Sequence, residues 1–529
     1  MKNKKFFIST AIDYPSSRFH MGHGYEKICT DVIARYKRLN GFDVHFSTGT
    51  DCHGLKIQRA AEKAGKTPQQ FVNEVSNGFR ELCKTLNISN TDFIMTTEKR
   101  HETVVLGLLK EIEKKGDIYK GEYEGLYCVD CETYYTEKDL LEGGLCPVHK
   151  KSVEVVKEEC YFFRMSEYQK KIVEALEKTP GLVWPDGKRM ELLNRLKIPM
   201  KDLCISRLNV KWGIPLPFDS RMTVFVWVEA LMNYLTTLGY PKEKFRQFWP
   251  ATHMIGVDIV WHHTAIWYSL LSALGIELPR VVVHGFINLK GEKLSKASGV
   301  TIDPIELSNK YSPDVLRYFL ISEMPFGSDG DFSEDALVDR NNSELVNNLG
   351  NLVNRVLTFT SSKFGSKVPK PGKLNGADLE MTKKIEHTVK KAAEFMDKFE
   401  MHSAIDTVMS LSGAGNEYFQ ACKPWAVIKD GLQQDTKDGG FKKGLKDGFD
   451  GASSPENCLY VCASLVRSLA ILLEPFMPSD SEKMWKFLNL EGSVHEQEWG
   501  SAGKLEVKAG HRIGTPEIIF RKIQAAHAK

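Results

Sequence analysis

His20, Met21, Gly22 and His23 follow a short apolar run and open a stretch with helical spacing. A helix N-terminus presents backbone N–H groups without intrahelical partners and a partial positive charge, so it can cradle a phosphate. Two imidazoles in the first turn would add donors. The glycine between them leaves room for a flat base against the backbone. By itself the tetrapeptide is equally compatible with a chance turn. Far along the chain, Lys293 and Lys296 stand in KLSKASG, after another apolar run and a Lys290-Gly291 turn signal. Two lysines and two serines on a loop suit a departing pyrophosphate, with charge delivered as the loop closes. The bland alternative is a solvated basic loop. A third group pairs Cys128 with Cys131 and Cys146 with His149, each pair with two residues between its members. Two such knuckles offer a Cys3His tetrahedral donor set, the arrangement zinc prefers. The alternative is buried cysteines in a β-rich module. A module that small has little core, and a metal would substitute for one.

The elements around these groups alternate. Residues 6–11 form a short apolar run that reads as a buried strand. Residues 23–40 carry Ile28, Val32, Tyr36 and Leu39 at helical spacing, with Gly41 as a stop. A second strand is expected over 44–47, followed by the loop TGTDCHG and helices to about 115. Strand, loop, helix, strand is the pattern of a doubly wound parallel sheet. Residues 119–156 break it and read as a small inserted module. Alternation resumes at Thr223. TVFVWV, THMIG and RVVVHG are expected as strands, with helices after the first two running to Leu238 and Leu274. INLKGEKLS follows, as two short strands about its Lys-Gly turn. From about 333 to 490 only helical signals remain, for example over 343–361 and 394–421, which predicts an α-helical bundle. Within it, 429–455 is rich in Gly, Lys and Asp. It reads as a solvated insertion or as an arm that contacts a polyanion.

Composition sets outer limits. At ~100–200 residues per domain, 529 residues make several domains. Hydrophobic content of 42% and charged content of 26% support a core without staples. A net charge of +3 permits an RNA partner without arguing for one. The 11 cysteines are odd in number and scattered, which points to free thiols in a reducing compartment. The N-terminus lacks the apolar core and cleavage site of a signal peptide. No stretch approaches the ~20 apolar residues that span a bilayer. The expectation is a cytoplasmic protein without a membrane partner.

Together and in order, HMGH and KLSKAS resemble the HIGH and KMSKS signatures of class I aminoacyl-tRNA synthetases. The last serine of the second motif is shifted by one place. The segments EYEGLYC, VDCETYYTEKDLLEGGLCPVH, TGTDCHG, WGIPLPFD, FVWVEALMNY, HMIGVDIVWHH, GFINLKGEKLS and NNLGNLVNRV further resemble the methionyl-tRNA synthetase family in its single-knuckle bacterial form. The resemblance runs from about residue 6 to about residue 490.

That resemblance implies an α/β fold: a Rossmann-like doubly wound parallel sheet, an inserted zinc-knuckle module and a C-terminal helical bundle. Residues 1–117 and 222–332 would be the two halves of the catalytic domain, 118–221 the inserted connective module, and 333–529 the anticodon-binding domain. It implies ATP-dependent activation of methionine, with Mg2+ accompanying ATP, and transfer to the 3′-terminal ribose of tRNA(Met), initiator tRNA included. His20, His23, Lys293 and Lys296 would be catalytic and, with Gly22, bind ATP. Ala11, Ile12 and Tyr14 would wall the methionine pocket. Asp51 would hold the ammonium. Trp227, Ala230 and Tyr234 would form its aromatic side, with Ile259 and His263 at the far end. Such a pocket suits a thioether, which is unbranched, polarizable and a poor acceptor. On spacing alone, Trp227, Tyr234 and His263 are equally ordinary core. Asn351 and Arg355, four apart on one helix face, and Trp425 would read the anticodon. Their plain readings are a solvated helix face and a core anchor. Asp13, Glu229 and Val257 depart from the family pattern. No appended domain follows, so a monomer is expected. The rival readings are another class I synthetase, a non-catalytic RNA-binding relative and a small-molecule nucleotidyltransferase.

Overall fold

Apolar runs covered on both faces belong in the interior of a parallel sheet. Phe7 and Ile8 are fully buried in this way. The computed structural model describes residues 4–16, 18–129, 133–135, 140–148, 150–289, 292–293, 302–426 and 453–524. Lys5–Thr10 (β1), Asp43–Thr50 (β2), Asp92–Met95 (β3), Val183–Trp184 (β4), Thr252–Gly256 (β5) and Arg280–His284 (β6) form one six-stranded sheet in the order β3-β2-β1-β5-β6-β4. All its pairings are parallel, with Phe6 opposite Val44 and Ile8 opposite Thr252. From β1 the chain moves outward to β2 and β3, while β5 and β6 lie on the other side. The crevice at the carboxyl ends of β1 and β5 is therefore a topological switch point, where such sheets take ligands. Met21–Leu39 (α1) makes the first crossover and aims its N-terminus at that crevice.

The inserted region is built on a long antiparallel pair, Ile118–Cys128 with Glu154–Phe163, in a register that sets Ile118 opposite Phe163. Edge strand β4 of the central sheet also comes from this region, between the helices Gln169–Lys178 and Asp186–Arg195.

TVFVWV departs from its expected role. Its first residues end a strand, Asp219–Val224, that pairs antiparallel with Pro215–Leu216 and Ser206–Arg207, outside the central sheet. From Val226 the chain is helical, as Val226–Leu231 and then Asn233–Thr236. Almost every side chain of these turns is buried, so the helix carries no polar stripe and reads like a strand.

The helical half contains Asn351–Phe364 (α2), Gly376–Asp397 (α3), Met401–Cys422 (α4), Pro455–Leu473 (α5) and Pro478–Phe487 (α6). Residues 343–361 are helical throughout, first as the π-helix Asn341–Gly350 and then as α2. Residues 394–421 are two helices, not one. The chain reverses at Phe399, whose φ of 61° interrupts the ladder while its ring is buried in the core. α5 is apolar and long enough to cross a membrane by length and composition, contrary to the expectation that no stretch is. It is the central helix of the bundle, and its apolar faces are covered by neighbouring helices. After α6 the chain returns to the π-helix, with no strand among the described residues of this stretch. Asn342 Nδ2 donates to the Ile523 carbonyl at 2.8 Å, and the Ile523 N–H donates to Asn342 Oδ1 at 2.9 Å. Most of 429–455 lies outside the described residues.

Candidate active site

After β1 the chain reaches His20, the N-cap of α1, in extended conformation. The two histidines cap the helix reciprocally. Gly22 N–H donates to His20 Nδ1 at 3.1 Å, and His20 N–H donates to His23 Nδ1 at 3.0 Å. A ring nitrogen that accepts is unprotonated, so each neutral imidazole carries its proton on Nε2. The rings lie 3.9 Å apart. The cap thus sets the tautomer that leaves each ring's N–H on Nε2 beside the helix N-terminus, where His23 Nε2 lies 4.0 Å from Asp13 Oδ1. Gly22 has a second use here: a Cβ would stand 3.0 Å from His20 Cε1, so glycine lets that ring fold over the first turn.

Behind the turn sits a charged cluster that sequence reasoning missed. Lys27, fully buried, pairs with Asp13, and Glu26 Oε2 lies 3.0 Å from His284 Nε2 at the end of β6. Burial pushes the Glu26 carboxyl up and the His284 contact only partly offsets it; His284 is itself raised by Glu26 against its burial. The pair thus joins α1 to β6. The departure at Asp13 therefore comes with its own counter-charge, one turn past His23. That spacing was the available signal.

The loop after β2 carries Asp51, which is almost fully buried. Its N–H donates to the Asp13 carbonyl at 2.8 Å, and Asp13 N–H donates to Gly49 O at 2.9 Å, so this loop is laced to the segment between β1 and α1. Gly49 is obligatory, because a Cβ would lie 2.1 Å from the Ile94 carbonyl oxygen. Ala11, Tyr14, Trp227 and Ile259 are half-buried and pack against one apolar cluster that contains Tyr234. Tyr14 meets Trp227 edge to face at 6.2 Å. Ala230 is buried on the same helical run, and Ile12 is half-buried between Ala11 and Asp13.

At the far end, His263 Nδ1 lies 3.0 Å from the Ile259 carbonyl, which can only accept, so Nδ1 holds the proton. Nε2, 2.8 Å away, then accepts from the Tyr234 hydroxyl. Burial lowers His263 to about 4, with the Ile259 hydrogen bond opposing, so the ring is neutral. His262 and His263 stand in a π-helical turn, His262–Ile266, a feature frequent at functional sites. His262, absent from the expected pocket, stacks on Trp227 at 3.8 Å and 18°. Its place beside His263 in HMIGVDIVWHH was the only hint.

The pair of strands that begins the KLSKAS segment, Ile287–Leu289 and Glu292–Lys293, starts just past β6 at the same end of the sheet. Asn288 is opposite Lys293. Gly285 makes the turn possible, since a Cβ would lie 2.2 Å from Ser328 backbone atoms. Lys296 lies outside the described residues.

On the bundle, Asn351 Nδ2 donates to Asn416 Oδ1 at 3.0 Å and Arg355 Nη2 to Gln420 Oε1 at 3.0 Å. The Arg355 guanidinium is 5.4 Å from the centre of the Trp425 ring. All three expected anticodon residues share one face of the bundle. In the inserted module Cys128 and Cys146 are buried, yet neither belongs to an apolar cluster of the described residues. Cys146 opens a tight turn: its carbonyl accepts Lys150 N–H at 2.8 Å. Cys131 and His149 lie outside the described residues, and among those described no group of three or more such side chains is arranged to hold a metal ion.

Paired histidine donors on a helix N-terminus at a switch point, beside a neutral aromatic pocket, define a nucleotide-handling α/β enzyme with a second, small substrate. Comparisons make the class specific. Residues 6–152 and 139–357 match the family model for class I tRNA synthetases (M), and 378–527 match the anticodon-binding domain of tRNA ligases. A methionine–tRNA ligase of Caldanaerobacter subterraneus subsp. tengcongensis is 40% identical over 98% of this chain and 79% of its own length. One from Brucella suis is 40% identical over 98% of both chains. The structure of Mycobacterium tuberculosis methionyl-tRNA synthetase in complex with methionyl-adenylate matches with a TM-score of 0.91 at 35% identity, covering 98% of this chain and 99% of that one. Its free form matches with a TM-score of 0.85 at 32% identity, covering 99% of each chain. The chain belongs to the methionyl-tRNA synthetase family of class I.

Proposed function

We propose that the chain does the work its relatives are named for: it activates methionine with ATP and charges tRNA with the product. The observation that carries this reading is the 2.8 Å bond from Asp51 N–H to the Asp13 carbonyl, which laces the loop of the ammonium-binding acid to the segment leading into the HMGH turn. Phosphate donors and amino-acid pocket are thereby one site.

In the first step the methionine carboxylate attacks the α-phosphorus of magnesium-complexed ATP. A new P–O bond forms, the α–β bridge breaks, and pyrophosphate leaves. The nucleophile is already an anion, so no general base is needed and catalysis rests on positioning and charge. His20 and His23 donate Nε2–H to the phosphates, with adenine over Gly22. Lys293 and Lys296 neutralise the departing pyrophosphate. Asp51 holds the ammonium, and Ala11, Ile12, Tyr14, Trp227, Ala230, Tyr234, Ile259 and His263 enclose the thioether. In the second step the terminal ribose hydroxyl of tRNA(Met), initiator included, attacks the adenylate and releases AMP. Asn351 and Arg355 bond the edges of anticodon bases while Trp425 stacks on one.

Cys128, Cys131, Cys146 and His149 would hold a structural zinc ion, which supplies the inserted module with the core it lacks. Burial of Cys128 and Cys146 outside the apolar clusters of the described residues supports that fit. The catalytic domain spans 1–117 and 222–332, the inserted module 118–221 and the anticodon domain 333–529, in a cytoplasmic monomer. ATP–pyrophosphate exchange with each of the common amino acids tests the reading. Exchange should depend on methionine; dependence on another amino acid, or none, would overturn it.

A further inference from the structure

Glu229 is fully buried on Val226–Leu231, two positions after Trp227 and next to Ala230. A buried carboxylate must find donors for both oxygens. Both come from histidines on other elements. His53 Nδ1 lies 2.8 Å from Oε1, and His101 Nε2 lies 2.9 Å from Oε2. His53 stands two residues after Asp51, in the same loop. His101 belongs to the helix Lys99–Lys114, packed behind the pocket. Its other nitrogen, Nδ1, lies 3.0 Å from Thr236 Oγ1, two residues past Tyr234. One imidazole thus straps the first helix of this run, at Glu229, to the last residue of the second, at Thr236. The loop side is equally held. Cys52 N–H donates to Thr96 Oγ1 at 2.9 Å, and Trp212 Nε1 donates to the Cys52 carbonyl at 2.6 Å.

Burial pushes the Glu229 carboxyl up, and the charge of His53 with the hydrogen bonds of both histidines more than offsets it, so the group is held as a carboxylate. We propose that Glu229 is a positioning residue of the methionine pocket, fixing the loop that carries Asp51 against the helical run that carries Trp227 and Tyr234. Fully buried between two imidazoles, it acts on the pocket through them. The reach from its carboxyl to both histidines sets the distance between the ammonium-binding acid and the aromatic wall. This rests on the reading of that pocket as the methionine site and adds the part that sets its width.

Glutamine in place of Glu229 keeps the shape but turns an N–H2 toward one histidine N–H. Misplacing a binding group by ~1 Å costs on the order of a hundredfold. In ATP–pyrophosphate exchange with the full chain, Glu229→Gln should raise KM for methionine at least ~10-fold while KM for ATP stays within ~2-fold. Glu229→Asp, which restores the carboxylate, should recover part of the loss. Thr236→Val cuts only the far end of the strap and should give a smaller rise in the same constant; it decides the matter if Glu229→Gln does not fold. Unchanged methionine constants in the folded variants, or methionine and ATP constants rising together, would overturn the positioning role. Wild-type exchange indifferent to methionine would instead overturn the functional reading beneath it.

Discussion

Arg35 and Glu474 are ion-paired at 2.8 Å although 439 positions separate them. Arg35 lies on the body of α1, whose N-terminus carries the paired histidines. Glu474 directly follows α5, the central helix of the bundle. The pair is part of a buried lattice. Arg35 Nε bonds Asp31 at 2.7 Å, and Arg317 bonds the same carboxylate oxygen at 2.8 Å. Arg317 also donates to the carbonyls of Phe476 and Pro475 at 3.0 and 2.8 Å. One helix therefore carries the His20–His23 turn at its tip and the seam with the helical bundle along its side.

Arg317→Ala should cost ~3–5 kcal/mol of stability, because it removes one of the two cations on buried Asp31 and leaves the carbonyls of Leu86, Pro475 and Phe476 without their donor. Burial pushes Asp31 up, but the charges of Arg35 and Arg317 and the Ser89 contacts hold it at about 2. The folded value lies below the unfolded one, so this stabilisation is present above the unfolded pKa and is lost as pH falls toward about 2. Urea unfolding checks the loss. Arg317→Lys should restore little, since one ammonium cannot serve the three carbonyls and the carboxylate that the planar guanidinium reaches.

Asp314 has the opposite sign. It is buried at the same seam, where its Oδ2 accepts Asp480 N–H at 2.7 Å. Burial first, then the charge of Asp480, raises it to about 7. The folded chain therefore binds a proton that the unfolded chain has already released, so stability is fullest below the unfolded pKa and falls as pH rises through about 7. Replacement by asparagine removes the titration. Urea midpoints at about pH 5 and about pH 8 should differ less for Asp314→Asn than for the unchanged chain. An equal difference would put the titrating group elsewhere.

Tyr234→Phe should weaken methionine binding by ~5- to 30-fold, because His263 Nε2 loses its donor in a site water cannot refill. His263 is neutral throughout the physiological range, so methionine affinity should not change as pH is lowered from about 8 to about 6 on its account. Isothermal titration with methionine alone reads both outcomes.

If Lys296 serves the leaving pyrophosphate as proposed, Lys296→Ala should slow ATP–pyrophosphate exchange at least ~100-fold with methionine affinity nearly intact. Unaltered exchange would remove Lys296 from the mechanism.

Metal analysis of the purified chain should find close to one zinc. Cys146→Ser should lose it, and Cys204→Ser, another buried cysteine of the same region, should keep it. Retention in both would assign the Cys146 thiol a plain packing role.

Motif chemistry and local periodicity determined much of this protein before any packing was known. The HMGH turn at a helix start, the strands at THMIG and RVVVHG, and the helical second half all follow from interactions between residues a few positions apart. Only tertiary structure decided the rest, because those contacts join distant positions whose neighbours carry no trace of the partner. The apolar stretch from Thr223 looks like a strand until its burial on every side makes part of it helix. Phe399 looks like mid-helix until the chain must reverse around its buried ring. Glu229, Lys27 and Arg317 look like ordinary surface charges in a one-dimensional pattern. Each is buried, and each is tolerated there because the fold delivers a counter-charge or hydrogen-bond partner from elsewhere in the chain.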